Sequence, residues 1–377
     1  MINLKVLPDK LNIRNTPHAD PNYSNWVGEL LKGDQFVAET VVRGELYNAT
    51  DLWYKDNYNR FTTLSELEVD DPNIPWSLRI TGVPHIWSVS KGEGVRVAIV
   101  DSGIDMKNED LSNSVVSGYN ILTGKSYQNN GEGDPAVLQD NYYHGTACAT
   151  IVGSRGSKGI IGIAPGSELI VIKISDDGHS SDEVRLQGLR KAVELGADIL
   201  SISFGNSSPS PSINDFLNQQ MAKGIICIAA AGNNPLYTDY PANLKGVISV
   251  GNAGCADQNS SMNEAIFHVN NLSATGETTD EYEGVTLIAP GENIVAYNLD
   301  GTPVNQFIGT SFSAPFVAGV AAMWLSKHKK EQEHKHFPVN YHKCFRDQII
   351  CNCKTQNIID FAPSRCGAGI INPMFIL

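Results

Sequence analysis

The sequence predicts an α/β protein built on a doubly wound, mostly parallel sheet and preceded by a small all-β barrel. Three observations carry this. From residue 95 onward, short apolar runs at 95–100, 169–174, 199–204, 225–230, 247–250 and 285–289 recur along the chain, and uninterrupted apolar strands of that length belong to a sheet buried on both faces. Between them, 182–195 and 211–223 have helical apolar spacing, with Asp182 and Pro211 at cap or first-turn positions and Gly196 and Gly224 closing each segment. Residues 1–65 instead alternate in short segments, 27–31, 36–42 and 51–54, separated by Gly33-Asp34, Gly44-Glu45 and the turn at 57–59.

Taken in order, residues 1–65 read as a closed β unit whose apolar residues Leu11, Ile13, Val27, Leu30, Phe36 and Val41 form its own core. The stretch 66–75, acidic and marked by Pro72 and Pro75, reads as a linker. Residues 76–377 then form the large α/β unit. No internal repeat is found. The one biased segment is 327–343, rich in Lys, Glu and His, and it reads as a solvated helix end, so that His328, His334, His336 and His342 carry no site.

Length and charge narrow the function. A chain of 377 residues allows one large or two unequal domains with ample core. With 28 Lys+Arg against 41 Asp+Glu the formal charge is −13, and no basic stripe is present, so nucleic acid and anionic membrane are not expected partners. No apolar run approaches the roughly 18 residues that span a bilayer. The first ten residues lack a basic region followed by an apolar one and a small-residue cleavage site. Seven cysteines is an odd number, and Cys148, Cys227 and Cys255 sit among apolar or small residues, which suits reduced thiols. The expected location is the cytoplasm.

Three motifs carry chemistry. The run Val97-Ala98-Ile99-Val100-Asp101 delivers a carboxylate at the C-terminal end of a strand, where open α/β sheets place their sites. Alone, such an Asp reads as a cap or turn residue. His144-Gly145-Thr146-Ala147-Cys148-Ala149 opens a helix of small residues that can approach the sheet closely. Gly309-Thr310-Ser311-Phe312-Ser313-Ala314-Pro315 starts an Ala/Val-rich helix, where a Ser is otherwise a common N-cap. Together they set a carboxylate, an imidazole and a hydroxyl on three elements in the order Asp101, His144, Ser311, separated by 43 and 167 residues. That order is the subtilisin one.

On these motifs residues 74–377 resemble the subtilisin-like serine peptidases. The resemblance implies an endopeptidase acting on protein or peptide through an acyl-enzyme, with Asp101, His144 and Ser311 as the triad. Ala229-Ala230-Ala231-Gly232-Asn233 resembles the segment that supplies the oxyanion-hole amide, here Asn233, and one wall of the substrate pocket, Ala230, Ala231 and Gly232. Ser203, Phe204 and Gly205 resemble the opposite wall. Ala147 and Phe316 depart from the His residues common at those places, but neither is an actor in the chemistry. Residues 1–65, through Leu11-Asn12-Ile13-Arg14, Gly28-Glu29-Leu30-Leu31 and Trp53-Tyr54-Lys55, resemble a bacterial SH3-like domain, which implies a binding or targeting module for a peptide or cell-wall ligand.

No cofactor is required by this reading and no metal site is assigned. Asp110 matches a position that binds calcium in several subtilases, but oxygen ligands for such a site cannot be picked out of 153–159, and calcium is left unsupported. Cys344, Cys351, Cys353 and Cys366 match no zinc spacing. The rival from another class is a binding protein on a catalytically retired scaffold, which hydrolysis of a generic unfolded protein would distinguish.

Overall fold

The structure is a computed structural model. It describes residues 74–130, 132–332 and 339–376, and before them eight strands between residues 2 and 69. These are β1 (Ile2–Val6), β2 (Lys10–Arg14), β3 (Trp26–Leu31), β4 (Gln35–Ala38), β5 (Thr40–Tyr47), β6 (Thr50–Lys55), β7 (Phe61–Thr63) and β8 (Leu67–Val69). They form a five-stranded sheet in the order β3-β2-β7-β6-β5 and a three-stranded sheet in the order β4-β1-β8. The stretch 66–75, expected as a linker, thus holds a strand: β8 pairs antiparallel with β1, placing Glu68 opposite Lys5. The alternation Leu67-Glu68-Val69 outweighs the acidic composition from which a linker was read.

Leu11, Ile13, Phe36 and Tyr54 are buried in the same apolar cluster as residues of the following unit, and the Tyr54 ring lies 5.5 Å from that of His85. The side chains of Val27 and Val41 lie outside the described ones.

The larger unit opens with α1 (Trp76–Thr81) and α2 (Val83–Ile86), followed by β9 (Arg96–Asp101), α3 (Glu109–Ser112), β10 (Val115–Asn120), β11 (Lys125–Gln128) and α4 (His144–Gly153). Then come β12 (Glu168–Lys173), α5 (Asp182–Glu194), β13 (Ile199–Ile202), α6 (Pro211–Ala222), β14 (Ile226–Ala230), β15 (Ile248–Cys255), β16 (Phe267–Val269) and β17 (Leu287–Pro290). The hairpin β18 (Ile294–Tyr297) and β19 (Pro303–Phe307) leads into α7 (Thr310–Gln332), α8 (Tyr341–Asn352) and α9 (Pro363–Cys366).

Nine strands form one sheet in the order β11-β10-β12-β9-β13-β14-β15-β16, with β17 also paired to β15. Its pairs are parallel except those made by β11 and β16. The six apolar runs are β9, β12, β13, β14, β15 and β17, and the two helical segments are α5 and α6. β9 lies between β12 and β13, where the winding reverses, and open α/β sheets bind ligands at such a point.

Strand alternation divides the interior. Val97, Ile99, Leu169, Val171, Ile226 and Ile228 face a cluster with residues of α4 and α7. Ala98, Val100, Ile170, Ile172, Cys227 and Ala229 face a second cluster with residues of α5 and α6. α5 starts on Ser181, whose hydroxyl accepts from Val184 N, with Asp182 and Glu183 in the first turn. Gly196 and Gly224 follow the two helices at φ +88 and +92, a region that L residues seldom enter.

The segment 327–343 differs from expectation. α7 continues through it to Gln332, and His342 is buried on α8 beside Phe345 and Ile349. Its Nδ1 accepts from Cys227 N (3.3 Å) and its Nε2 donates to Gly246 O (2.9 Å). The spacing 342, 345, 349 is the inner face of an amphipathic helix, which the surrounding Lys and Glu obscured. His328 stacks on Trp324 with ring centroids 4.0 Å apart, while His334 and His336 lie outside the described residues. All seven cysteines are free.

Candidate active site

β9 ends on Asp101, whose Oδ1 accepts from Ser102 N at 2.7 Å. The first residue of α4 is His144, and the turn before it is held by Asp140. One oxygen of Asp140 accepts from Tyr142 N (2.8 Å) and Tyr143 N (3.1 Å), the other from Thr146 N (2.9 Å) and Thr146 Oγ1 (2.7 Å). This carboxylate satisfies orphan donors at the helix start. Gly145 permits the close approach, since a Cβ there would meet Gly103 O at 2.2 Å and Asp101 Cβ at 3.1 Å.

His144 Nδ1 consequently lies 2.9 Å from both Asp101 oxygens. A carboxylate only accepts, so Nδ1 carries a proton and donates. Burial, the largest single influence, pushes the His144 pKa down, but Asp101 and Cys148 acting together through charge and hydrogen bonding hold the group well above the usual histidine value. One turn along, Cys148 Sγ is 4.0 Å from Nδ1 and 3.4 Å from Ser311 O, and burial pushes its thiol up. Asp101, His144 and Cys148 offer three potential metal-ligating atoms within 4.8 Å of one another, although Nδ1 is already committed to the carboxylate.

Ser311 is the second residue of α7. Its Oγ donates to Ser203 O at 3.2 Å, and Ser203 Oγ donates to Ser311 O at 2.9 Å. Among the described residues no hydrogen bond joins Ser311 Oγ to His144. Phe312 packs on the His144 ring, centroids 5.4 Å apart, which sets the start of α7 beside that of α4.

Asn233 follows β14. Its Oδ1 accepts from Thr310 N (3.0 Å) and Thr310 Oγ1 (3.2 Å). A backbone N–H must face an acceptor, so the amide oxygen is fixed against α7 and Nδ2 is left to donate elsewhere. Thr310 Oγ1 also accepts from Gly232 N at 3.1 Å. The 203–205 segment leaves the end of β13, and the 230–232 segment leaves the end of β14. An open cavity of about 220 Å³ borders Asp101, His144, Ser203, Phe204, Gly205 and Arg185, whose guanidinium lies 5.1 Å from the Phe204 ring centroid.

Every candidate residue read from sequence therefore falls at the C-terminal edge of the sheet or at the helix starts above it. Asp140 and Thr310 were not singled out there. The signal for Asp140 is a carboxylate four residues ahead of a helix-initial His; Thr310 stood in the quoted motif without a role.

Asp110 is completely buried, and its carboxylate accepts from Ser157 N (2.7 Å), Ser157 Oγ (2.5 Å), Lys158 N (3.1 Å to each oxygen) and Tyr297 OH (2.7 Å). Burial raises its pKa, but these donors prevail and hold it below the usual carboxylate range. With its lone pairs directed at protein donors, Asp110 does not fit a calcium ligand, which needs oxygen free to face the ion.

Comparison with known proteins bears on what the arrangement is. The Subtilase family, Peptidase S8, matches residues 92–363. The chain belongs to the subtilase family. The intracellular serine protease of Paenibacillus polymyxa is 31% identical over 258 residues, covering 66% of this chain and 72% of that one. The major intracellular serine protease of Bacillus subtilis (strain 168) is 28% identical over 281 residues, covering 72% and 81%. The crystal structure of fervidolysin from Fervidobacterium pennivorans, a keratinolytic enzyme related to subtilisin, superposes with a TM-score of 0.66 at 24% identity, over 80% of this chain and 45% of that one. This subtilase is a serine endopeptidase, and its substrates are proteins or peptides. No helix among the described residues is long and apolar enough to cross a membrane.

Proposed function

We propose that Asp101, His144 and Ser311 are the triad of this peptidase and that Asn233 belongs to its oxyanion hole. The observation that supports this most is His144 Nδ1 at 2.9 Å from both oxygens of Asp101, on a helix start set beside the one that bears Ser311. The serine hydroxyl leaves Ser203 O by rotation about χ1 and gives its proton to His144 Nε2 as Oγ bonds to the scissile carbonyl carbon. Asp101 holds the ring in the tautomer with Nδ1 protonated and stabilises the imidazolium. Nδ2 of Asn233 and the backbone N–H of Ser311 receive the oxyanion, whose carbonyl oxygen gains the electron pair. Collapse breaks the C–N bond, the leaving amine takes the proton from Nε2, and water repeats the sequence on the acyl-enzyme. Ser203, Phe204 and Gly205 form one wall for the substrate, Ala230, Ala231 and Gly232 the other.

In the same proposal residues 76–377 are the catalytic unit and residues 1–65 an SH3-like accessory module for a peptide or cell-wall ligand. Cytoplasmic residence is supported by the free cysteines and by relatives named intracellular proteases.

Labelling the purified protein with a fluorophosphonate and mapping the modified peptide tests the nucleophile. Label on Ser311, and a loss of kcat of about 10⁶ in Ser311→Ala, the scale known for subtilisin itself, are expected. Equal hydrolysis by the variant overturns the assignment.

A further inference from the structure

The slot between 203–205 and 230–232 contains a third segment. Asp239 N donates to Ala231 O at 2.7 Å, while Tyr240 and Asn206 exchange two backbone hydrogen bonds of 2.8 and 2.9 Å. Residues 239–240 are thereby tied to both walls, and the Asp239 side chain stands between their glycines. A Cβ on Gly232 would lie 2.3 Å from Asp239 Oδ2, and a Cβ on Gly205 would lie 3.1 Å from Asp239 Cβ and 3.6 Å from Oδ2. Both walls lack side chains where they face this carboxylate.

The carboxylate itself is unsatisfied. It is partly buried, and among the described residues it makes no hydrogen bond or ion pair. Neighbouring acids are all engaged: Asp101 with His144, Asp182 with Arg185 and Asn206, Glu283 with Arg346. Arg185, the guanidinium on Phe204, is held by Asp182 and by Ser180 Oγ. Asp239 also belongs to no group of metal-ligating side chains among the described residues. Its backbone makes the tie between the walls, a task that needs no carboxylate. A partly desolvated anion without a partner is unfavourable until a cation joins it.

We infer that Asp239 is the specificity-determining residue at the floor of this slot, where it selects a Lys or Arg side chain of the substrate. The inference rests on the proposed reading, in which the slot receives the side chain on the acyl side of the scissile bond. A carboxylate at the floor of the equivalent pocket is how trypsin selects basic residues. Burial pushes the Asp239 carboxyl above the usual carboxylate range, in keeping with an anion that lacks its counter-charge. Either basic side chain reaches past the glycines with its alkyl stem along the walls and its charge at the floor.

The test compares kcat/KM on short chromogenic peptides differing only in that residue: Lys, Arg, Phe or Glu. The expected ratio of Arg to Phe is roughly ten- to hundredfold, between the slight effect of an exposed ion pair and the large one of a buried pair. Asp239→Asn collapses the ratio towards one, and Asp239→Lys shifts preference to Glu. A parent ratio at or below one overturns the inference, as does a parallel loss on Arg and Phe substrates in Asp239→Asn, which marks a structural role. Absence of hydrolysis on every peptide overturns the triad reading instead. Fluorescence anisotropy with Ser311→Ala then decides the pocket: a labelled peptide ending in Arg binds more tightly than one ending in Phe if Asp239 selects it, and equally if it does not.

Discussion

In the proposed mechanism His144 must be neutral to accept a proton, yet it is held against the Asp101 carboxylate. The His144 pKa lies well above its usual value because Asp101 and Cys148 together prevail over burial, with Asp101 the larger of the two. As pH falls through that raised pKa the ring becomes protonated at both nitrogens and, in the proposed mechanism, can no longer take the Ser311 proton. The acid limb of kcat/KM should therefore inflect above 6.5. In Asp101→Asn the opposing charge is gone, burial governs, and the inflection should move down while kcat drops by about 10⁴; an unmoved inflection would detach His144 from the rate. Asp110 shows the same logic without catalysis. Tyr297→Phe removes one of its donors and should cost about 1.5–3 kcal/mol in a denaturant melt, and added calcium should not restore it. Recovery with calcium would mean that the carboxylate turns to an ion. The proposed catalytic positions, Asp101, His144 and Ser311, were legible because each stands inside a short motif. Asp140, Thr310 and Asp239 were not, because each acts through partners that only the folded chain supplies, among them Ala231 for the backbone of Asp239 and Asn233 for Thr310.

Elements were read most surely where one period dominates. Runs of apolar residues gave six strands of the sheet to within a few residues, and Asp182 and Pro211 marked the first turns of α5 and α6. β10, with Ser117, Gly118 and Asn120, and β19, with Asn305 and Gln306, carry too many polar residues for that signal, β18 is a run of only four residues, and α8 was hidden in its charged surroundings. The burial of α8 has a measurable consequence. His342 is pushed down to about 4 by burial, whereas the unfolded chain takes up that proton near 6.5. Between those values the unfolded state binds more protons, so stability is fully present above 6.5 and is lost as pH falls towards 4. The contribution is about 3 kcal/mol. His342→Asn, which keeps an acceptor and a donor, should flatten the pH dependence of urea unfolding across this window. An unchanged slope would show that His342 does not titrate with folding.

At the scale of the whole chain, the N-terminal β strands and the larger α/β unit share apolar surface. Tyr54 is completely buried against His85, and Tyr54 OH and His85 Nδ1 are both buried without hydrogen-bond partners among the described residues. A chain beginning at residue 70 should melt at a lower temperature in scanning fluorimetry yet still hydrolyse a short chromogenic peptide. An identical melting temperature would mean that the seam adds nothing. Insolubility relieved by adding residues 1–69 separately would make the β unit a folding template. Sequence patterning described the N-terminal segment as self-contained because alternation reports which face of a strand is apolar and not what covers it. A different constraint arises where the two interior clusters meet. β9 supplies Val97 and Ile99 to one and Ala98 and Val100 to the other, then presents Asp101. One residue inserted or deleted within it would exchange the faces and turn the carboxylate from His144. As genes of this lineage diverge, insertions and deletions should collect in the loops, and β9 should change its side chains while keeping its residue count.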